Sequence, residues 1–217
     1  MRAKGQLLLI NPWIYDFAAY NSWIEPVGLL KIAAVLRDSG YGVTAIDCLA
    51  PHAGMPRPRA DGSGKLSKTL VDKPVAVACV PRRFGRYGLP VERFEAALAA
   101  APAPDLVLVA SGMTYWYPGV VEAIRRIRAR FGGVPVAVGG VYASLCPDHA
   151  RRFSGADEVI AGPGAVAALR LADRVTGHDS DPDRLADPRS WPRPAHDLVA
   201  RPSAAVPTAG GCPYPST

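Results

Sequence analysis

The sequence contains no CxxC pair, no internal repeat and no apolar run long enough to cross a bilayer. Its four cysteines, Cys48, Cys79, Cys146 and Cys212, stand far apart, which argues against a disulfide scaffold and for a reducing cytoplasm. Residues 7–10 follow Lys4 as an apolar stretch, but it is far too short for a signal-peptide core or a membrane helix, so no membrane is expected as a partner. Also missing are GxGxxG after the first apolar run, a GxxxxGKS/T loop and a GxSxG elbow. The histidines His52, His149, His178 and His196 lie in unrelated contexts, and no nucleophile is paired with a base. No catalytic residue is therefore nominated, and the chain's status as an enzyme is left open. The formal charge of +6 is spread over arginines in several segments rather than focused on one element with interleaved aromatics, so nucleic acid is not an expected partner.

What is present is an alternation of short apolar runs and amphipathic segments. Residues 6–10 (QLLLI) form a continuous apolar run closed by Asn11-Pro12, as in a strand buried on both faces. Glu25-Pro26 opens a helix whose apolar face includes Val27, Leu30 and Ala34, and Gly40 closes it. Residues 43–46 are the next strand, so this strand–helix–strand unit requires a parallel sheet. Strands follow at 106–110, 134–138 and 158–161, with helices from Pro90, from Pro118, over 147–153 and over 164–175; residues 75–80 (VAVACV) also have strand character. The predicted fold class is α/β, a flavodoxin-like (Rossmann-like) doubly wound parallel sheet of five strands in the order 2-1-3-4-5, with an insertion after strand 2. The expected organisation is a domain over residues 1–175 and a Pro-, Asp- and Arg-rich linker with a further strand-like piece within 176–217. Residues 51–74, rich in Pro, Gly and charge, are expected to be an exposed insertion, mobile at Gly62-Ser63-Gly64.

In such folds ligands bind beyond the carboxyl ends of the strands, where side chains must be small. Three segments meet that description: Ser111-Gly112-Met113-Thr114, Gly139-Gly140-Val141-Tyr142 and Gly162-Pro163-Gly164. The paired glycines carry the strongest signal, because a tight turn alone needs only one. The adjacent aromatics Tyr115-Trp116-Tyr117 are costly to expose and are expected to line a pocket or cover an interface. A cofactor-free flavodoxin-like module for protein interaction or regulation is the alternative; a stand-alone enzyme acting on a nucleotide or sugar phosphate lacks visible acid–base groups.

These segments, together with the opening LLLINP, the helix after Glu25-Pro-Val-Gly-Leu-Leu, Asp47, the run GGVYASLCPDH from Gly139 and GADEVIAGPG ending at Gly164, resemble the N-terminal cobalamin (vitamin B12)-binding domain of radical S-adenosylmethionine enzymes. The resemblance runs from Leu7 to Cys212. It implies that the Ser111 and Gly139-Gly140 loops contact the nucleotide tail of cobalamin beside the sheet, with the corrin over the strand ends near Asn11, Pro12 and Trp13. Methionine-synthase-type domains carry DxHxxG after the first strand, whereas this loop reads NPWIYDF and has no histidine. The resemblance thus implies base-off cobalamin with no protein imidazole on cobalt, and Trp13 or Tyr15 packed under the ring instead. Family members continue from Gly-Cys-Pro into CxxxCxxC, three thiolates for a [4Fe–4S] cluster that binds S-adenosylmethionine. Cys212 matches the first thiolate, but Ser stands at 216, so cluster and S-adenosylmethionine are expected only in a longer form. The expectation is a truncated radical S-adenosylmethionine chain, not catalytically competent alone, whose partners are cobalamin and the missing catalytic domain. In the full enzyme the implied chemistry is methyl transfer or another radical rearrangement.

Overall fold

Leu7, Leu8, Leu9 and Ile10 are all buried because β1 (Gln6–Asn11) is an interior strand of a parallel sheet covered on both faces. The computed structural model describes residues 3–22, 24–61, 63–181, 183–187, 190–201 and 204–206. After β1 the chain makes two short strands outside the main sheet, β2 (Ile14–Asp16) and β3 (Tyr20–Asn21), before α1 (Val27–Asp38) returns it to β4 (Gly42–Asp47). Three more short strands, β5 (Gly64–Lys65), β6 (Lys68–Leu70) and β7 (Gly85–Tyr87), precede α2 (Val91–Ala100) and β8 (Leu106–Ser111). Then come α3 (Tyr117–Phe131), β9 (Val136–Gly140), α4 (Val141–Leu145), α5 (Pro147–Phe153), β10 (Glu158–Ile160) and α6 (Gly164–Thr176).

The five long-range strands pair in parallel in the order β4-β1-β8-β9-β10, the expected 2-1-3-4-5 arrangement. Strand alternation divides the core. Leu7, Leu9, Leu106, Leu108 and Ala137 meet α1 and α6 on one face. Leu8, Ile10, Val107, Val109, Val136 and Val138 meet α2 and α3 on the other.

Four expectations are corrected. Residues 75–80 are not a strand: Val75–Val77 is a single 3-10 turn and Val75 is exposed. Since β8 pairs directly with β1, no strand fits between those two, and β-propensity without a partner strand does not make a strand. The segment 51–74 is not simply exposed. Leu66 and Ser63 are buried, because β5 pairs with β3, and β6 joins β7 and β2 in a small antiparallel sheet. Gly62 lies outside the described residues. The strand expected at 134–138 is shifted by two residues: β9 begins at Val136 and ends with Gly139 and Gly140 paired against Ala110 and Ser111. Lastly, the chain after α6 packs back on the domain, with Leu185 and Ala195 buried in the α1–α6 core and the Ala195 N–H bonded to Leu30 O at 3.1 Å. Residues 204–206 adopt no strand; 202–203 and Cys212 lie outside the described residues.

Candidate functional site

At the carboxyl edge of the sheet, a cavity of about 620 Å³ runs down between the sheet and the helices α1 and α6. Leu108 and Ala137 supply its sheet side, Leu29 and Ile32 one wall, and Ala165 and Ala168 the other. Alanines at i and i+3 of α6 leave room that larger residues would close. The strand ends around the cavity are fastened to one another. Asn11 donates to Asp47 at 2.7 Å. The Ser111 hydroxyl donates to Gly139 O at 2.7 Å and accepts the Ala143 N–H at 3.3 Å, clasping β8, β9 and α4 together.

The two glycines have different tasks. Gly140 has φ +104°, and a Cβ there would lie 2.4 Å from Ser111 O, so the backbone itself demands glycine. A Cβ on Gly139 would meet only Ile160, at 3.6 Å or more. By alternation with Ala137 that position faces the cavity, and its missing side chain is part of the empty space.

Of the residues nominated from sequence, Asn11, Pro12, Trp13, Ser111, Gly112, Gly139, Gly140, Val141, Gly162, Pro163 and Gly164 line the cavity. Met113, Thr114 and Tyr142 do not. Met113 points away into solvent. Tyr142 is buried, with its hydroxyl 2.8 Å from His149 Nδ1; burial first, then Tyr117 and Cys146, push its phenol up to about 12. The aromatic run splits three ways: Tyr115 is exposed, Trp116 lines the cavity and Tyr117 stacks near Tyr142 and His149. Trp13 reaches the cavity from within the core. Its indole is buried against Phe94 at 4.6 Å and donates to Leu89 O at 2.7 Å, because the α2–α3 core offers it both a hydrophobic bed and a carbonyl. Tyr15 sits beside Phe84 and Arg86, off the cavity lining.

Sequence reasoning missed the walls: Leu29, Lys31, Ile32, Ala165, Ala168 and Trp191. The strap that brings Trp191 is held by two acids near the cavity mouth. Asp47 accepts from Arg201 Nε at 2.8 Å and from a second guanidinium nitrogen, and both side chains are buried. Glu25 accepts from His196 Nδ1 at 2.7 Å and from the Ala205 N–H at 2.6 Å. Among the described residues no cluster of His, Cys, Asp or Glu could hold a metal ion. No described helix is long and apolar enough to cross a membrane.

A parallel five-stranded sheet in this order, with helices on both faces, belongs to the flavodoxin-like class of doubly wound folds. Within it, residues 77–172 match the family model of the B12 binding domain. Among solved structures, the chain is similar to the radical S-adenosylmethionine methyltransferase TsrM from Kitasatospora setae, determined with tryptophan substrate and a S-adenosylmethionine analogue: TM-score 0.51, 20% identity, covering 81% of this chain and 27% of that one. It is also similar to the methanol:cobalamin methyltransferase complex MtaBC from Methanosarcina barkeri: TM-score 0.49, 16% identity, covering 85% and 51%. The chain thus spans about a quarter of the first and half of the second, and the likeness to the first is one of fold. No curated protein matches the sequence. The family match begins after the first strand–helix–strand unit, yet that unit supplies Leu29 and Ile32 to the slot.

Proposed function

We propose that this chain binds cobalamin in the base-off form, with the nucleotide tail in the slot between the sheet and α1/α6 and the corrin over the strand ends. The open slot at Gly139, inside the segment that matches the B12 binding domain, is the observation that carries this reading. Bound cobalamin supplies a cobalt centre that accepts and hands on a methyl group. The chain's own residues hold the tail, exclude water from its base and fix the loops on which the corrin rests. Catalysis falls to a radical S-adenosylmethionine domain acting with this one, which would bring the [4Fe–4S] cluster and S-adenosylmethionine; the present chain is read as the cobalamin-holding part (1–175, with 176–217 leading towards that domain) and as inactive by itself.

Purified protein mixed with hydroxocobalamin is expected to elute from gel filtration as a coloured complex. Absence of any retained corrinoid would instead favour the interaction-module reading, in which the exposed Met113, Tyr115, Val141 and Leu145 meet a protein. After reduction to cob(II)alamin, the electron paramagnetic resonance spectrum is expected to lack nitrogen superhyperfine splitting. Clear axial nitrogen coupling would place an imidazole or the lower base on cobalt and contradict the base-off, His-off assignment.

Among the described residues Lys31 is the cationic one on the lining, and it suits the tail's phosphodiester. Lys31→Glu is expected to weaken cobalamin binding about 10-fold at low ionic strength, with the loss shrinking as salt screens the pair. Cobinamide, which has no phosphodiester, is the control: equal losses for both ligands in titration would remove Lys31 from that role.

A further inference from the structure

We propose that the slot sorts corrinoids by the chemistry of their lower base, accepting a benzimidazole and rejecting a purine. This rests on the cobalamin reading and concerns what the same slot recognises. The two bases are bicyclic and nearly equal in size, so a cavity of about 620 Å³ cannot separate them by volume. The walls can. Leu29, Ile32, Leu108, Ala137, Ala165 and Ala168 present hydrocarbon.

Most polar side chains on the same lining are already engaged, Asn11 through its amide N–H to Asp47. Ser111 Oγ is shared between Gly139 O and the Ala143 N–H. Glu25 is taken by His196 and the Ala205 N–H. The indoles of Trp116 and Trp191 donate to Asp16 at 2.9 Å and Leu185 O at 3.0 Å. Lys31 offers only donors, so it cannot accept from an exocyclic amine. A benzimidazole edge is carbon and gains from apolar burial. With Lys31 held by the phosphodiester, adenine brings an amine and further ring nitrogens against walls of hydrocarbon, and polar groups left unpaired there are penalised. Discrimination of this kind in an apolar pocket amounts to roughly 10- to 100-fold.

The test is a titration of the protein with cobalamin, adenine-bearing pseudocobalamin and cobinamide, read by absorbance and equilibrium dialysis. Cobalamin is expected to bind about 10- to 100-fold more tightly than pseudocobalamin, with cobinamide weaker than cobalamin. Equal affinity for the two complete corrinoids, both above cobinamide, overturns the selectivity while leaving cobalamin binding intact. Equal affinity for all three overturns it by showing that the tail does not use the slot, and no binding at all removes the underlying reading itself. A second variant, Ala168→Asn, offers an amide inside the slot and is expected to narrow the cobalamin–pseudocobalamin gap at least about threefold; an unchanged gap in that folded variant counts against the proposal.

Discussion

Gly139→Val is expected to lower cobalamin affinity by at least about 100-fold, close to 2.7 kcal/mol, while moving the thermal unfolding midpoint by only a few degrees. The separation of binding from folding follows from the local geometry. A Cβ at this position would make ordinary contacts with Ile160 at 3.6 and 3.7 Å, and valine suits a strand. Its methyl groups would stand in the slot opposite Ala165 and Ala168, where the tail has to pass. The neighbouring substitution behaves in the opposite manner. Gly140→Ala forces a side chain onto φ +104° and to 2.4 Å from Ser111 O, so it strains the β8–β9 edge by about 1–3 kcal/mol whatever the ligand does. Loss of binding in the Gly140 variant therefore carries little information. Absorbance titration and thermal melts on both variants check the contrast; native affinity in Gly139→Val would mean the tail does not run along this face.

The strand order was legible because β1 announces itself. Five residues, QLLLI, with no polar alternation fit only a strand covered on both faces, and the following helix and strand then impose parallel pairing. The small residues at the ends of β8, β9 and before α6 were legible for a related reason: backbone approaching a ligand leaves glycine and serine behind. The slot walls were not. Leu29, Ile32, Ala165 and Ala168 carry the spacing of any core-facing helix, and periodicity does not say whether the facing space is filled. The anchorage of Trp13 was not legible either: Phe94 and Leu89, far away in sequence, hold an indole that also reaches the cavity lining. The strap was hidden by composition. Leu185, Trp191, Ala195 and Leu198 are apolar but scattered among Pro, Asp and Arg, so no period marks them, and the partners that hold the segment, Arg37, Glu25 and Asp47, lie far away in sequence.

Arg201→Met is expected to destabilise the domain by about 3 kcal/mol and to speed hydrogen exchange over residues 195–201. The side chains of Arg201 and Asp47 are 6% and 3% exposed, so the pair sits where an uncompensated charge is costly. Removing the guanidinium leaves the carboxylate with the Asn11 amide at 2.7 Å and the Leu49 N–H at 3.0 Å but no counter-charge. It also removes the bond from Arg201 to Ile24 O, which ties the strap to the segment ahead of α1. If the penalty comes from the stranded charge rather than lost packing, neutralising the partner must recover it. The double variant Asp47→Asn with Arg201→Met is accordingly expected to regain at least about half of the lost stability, a non-additive result for two residues in contact. Denaturant unfolding of the four proteins in the cycle measures the coupling directly. Additive losses would assign the strap's hold to Ala195, Trp191 and the Glu25–His196 contact instead, and an Arg201→Met change within about 0.5 kcal/mol of native would show that this pair does not fasten the strap to the carboxyl edge of the sheet.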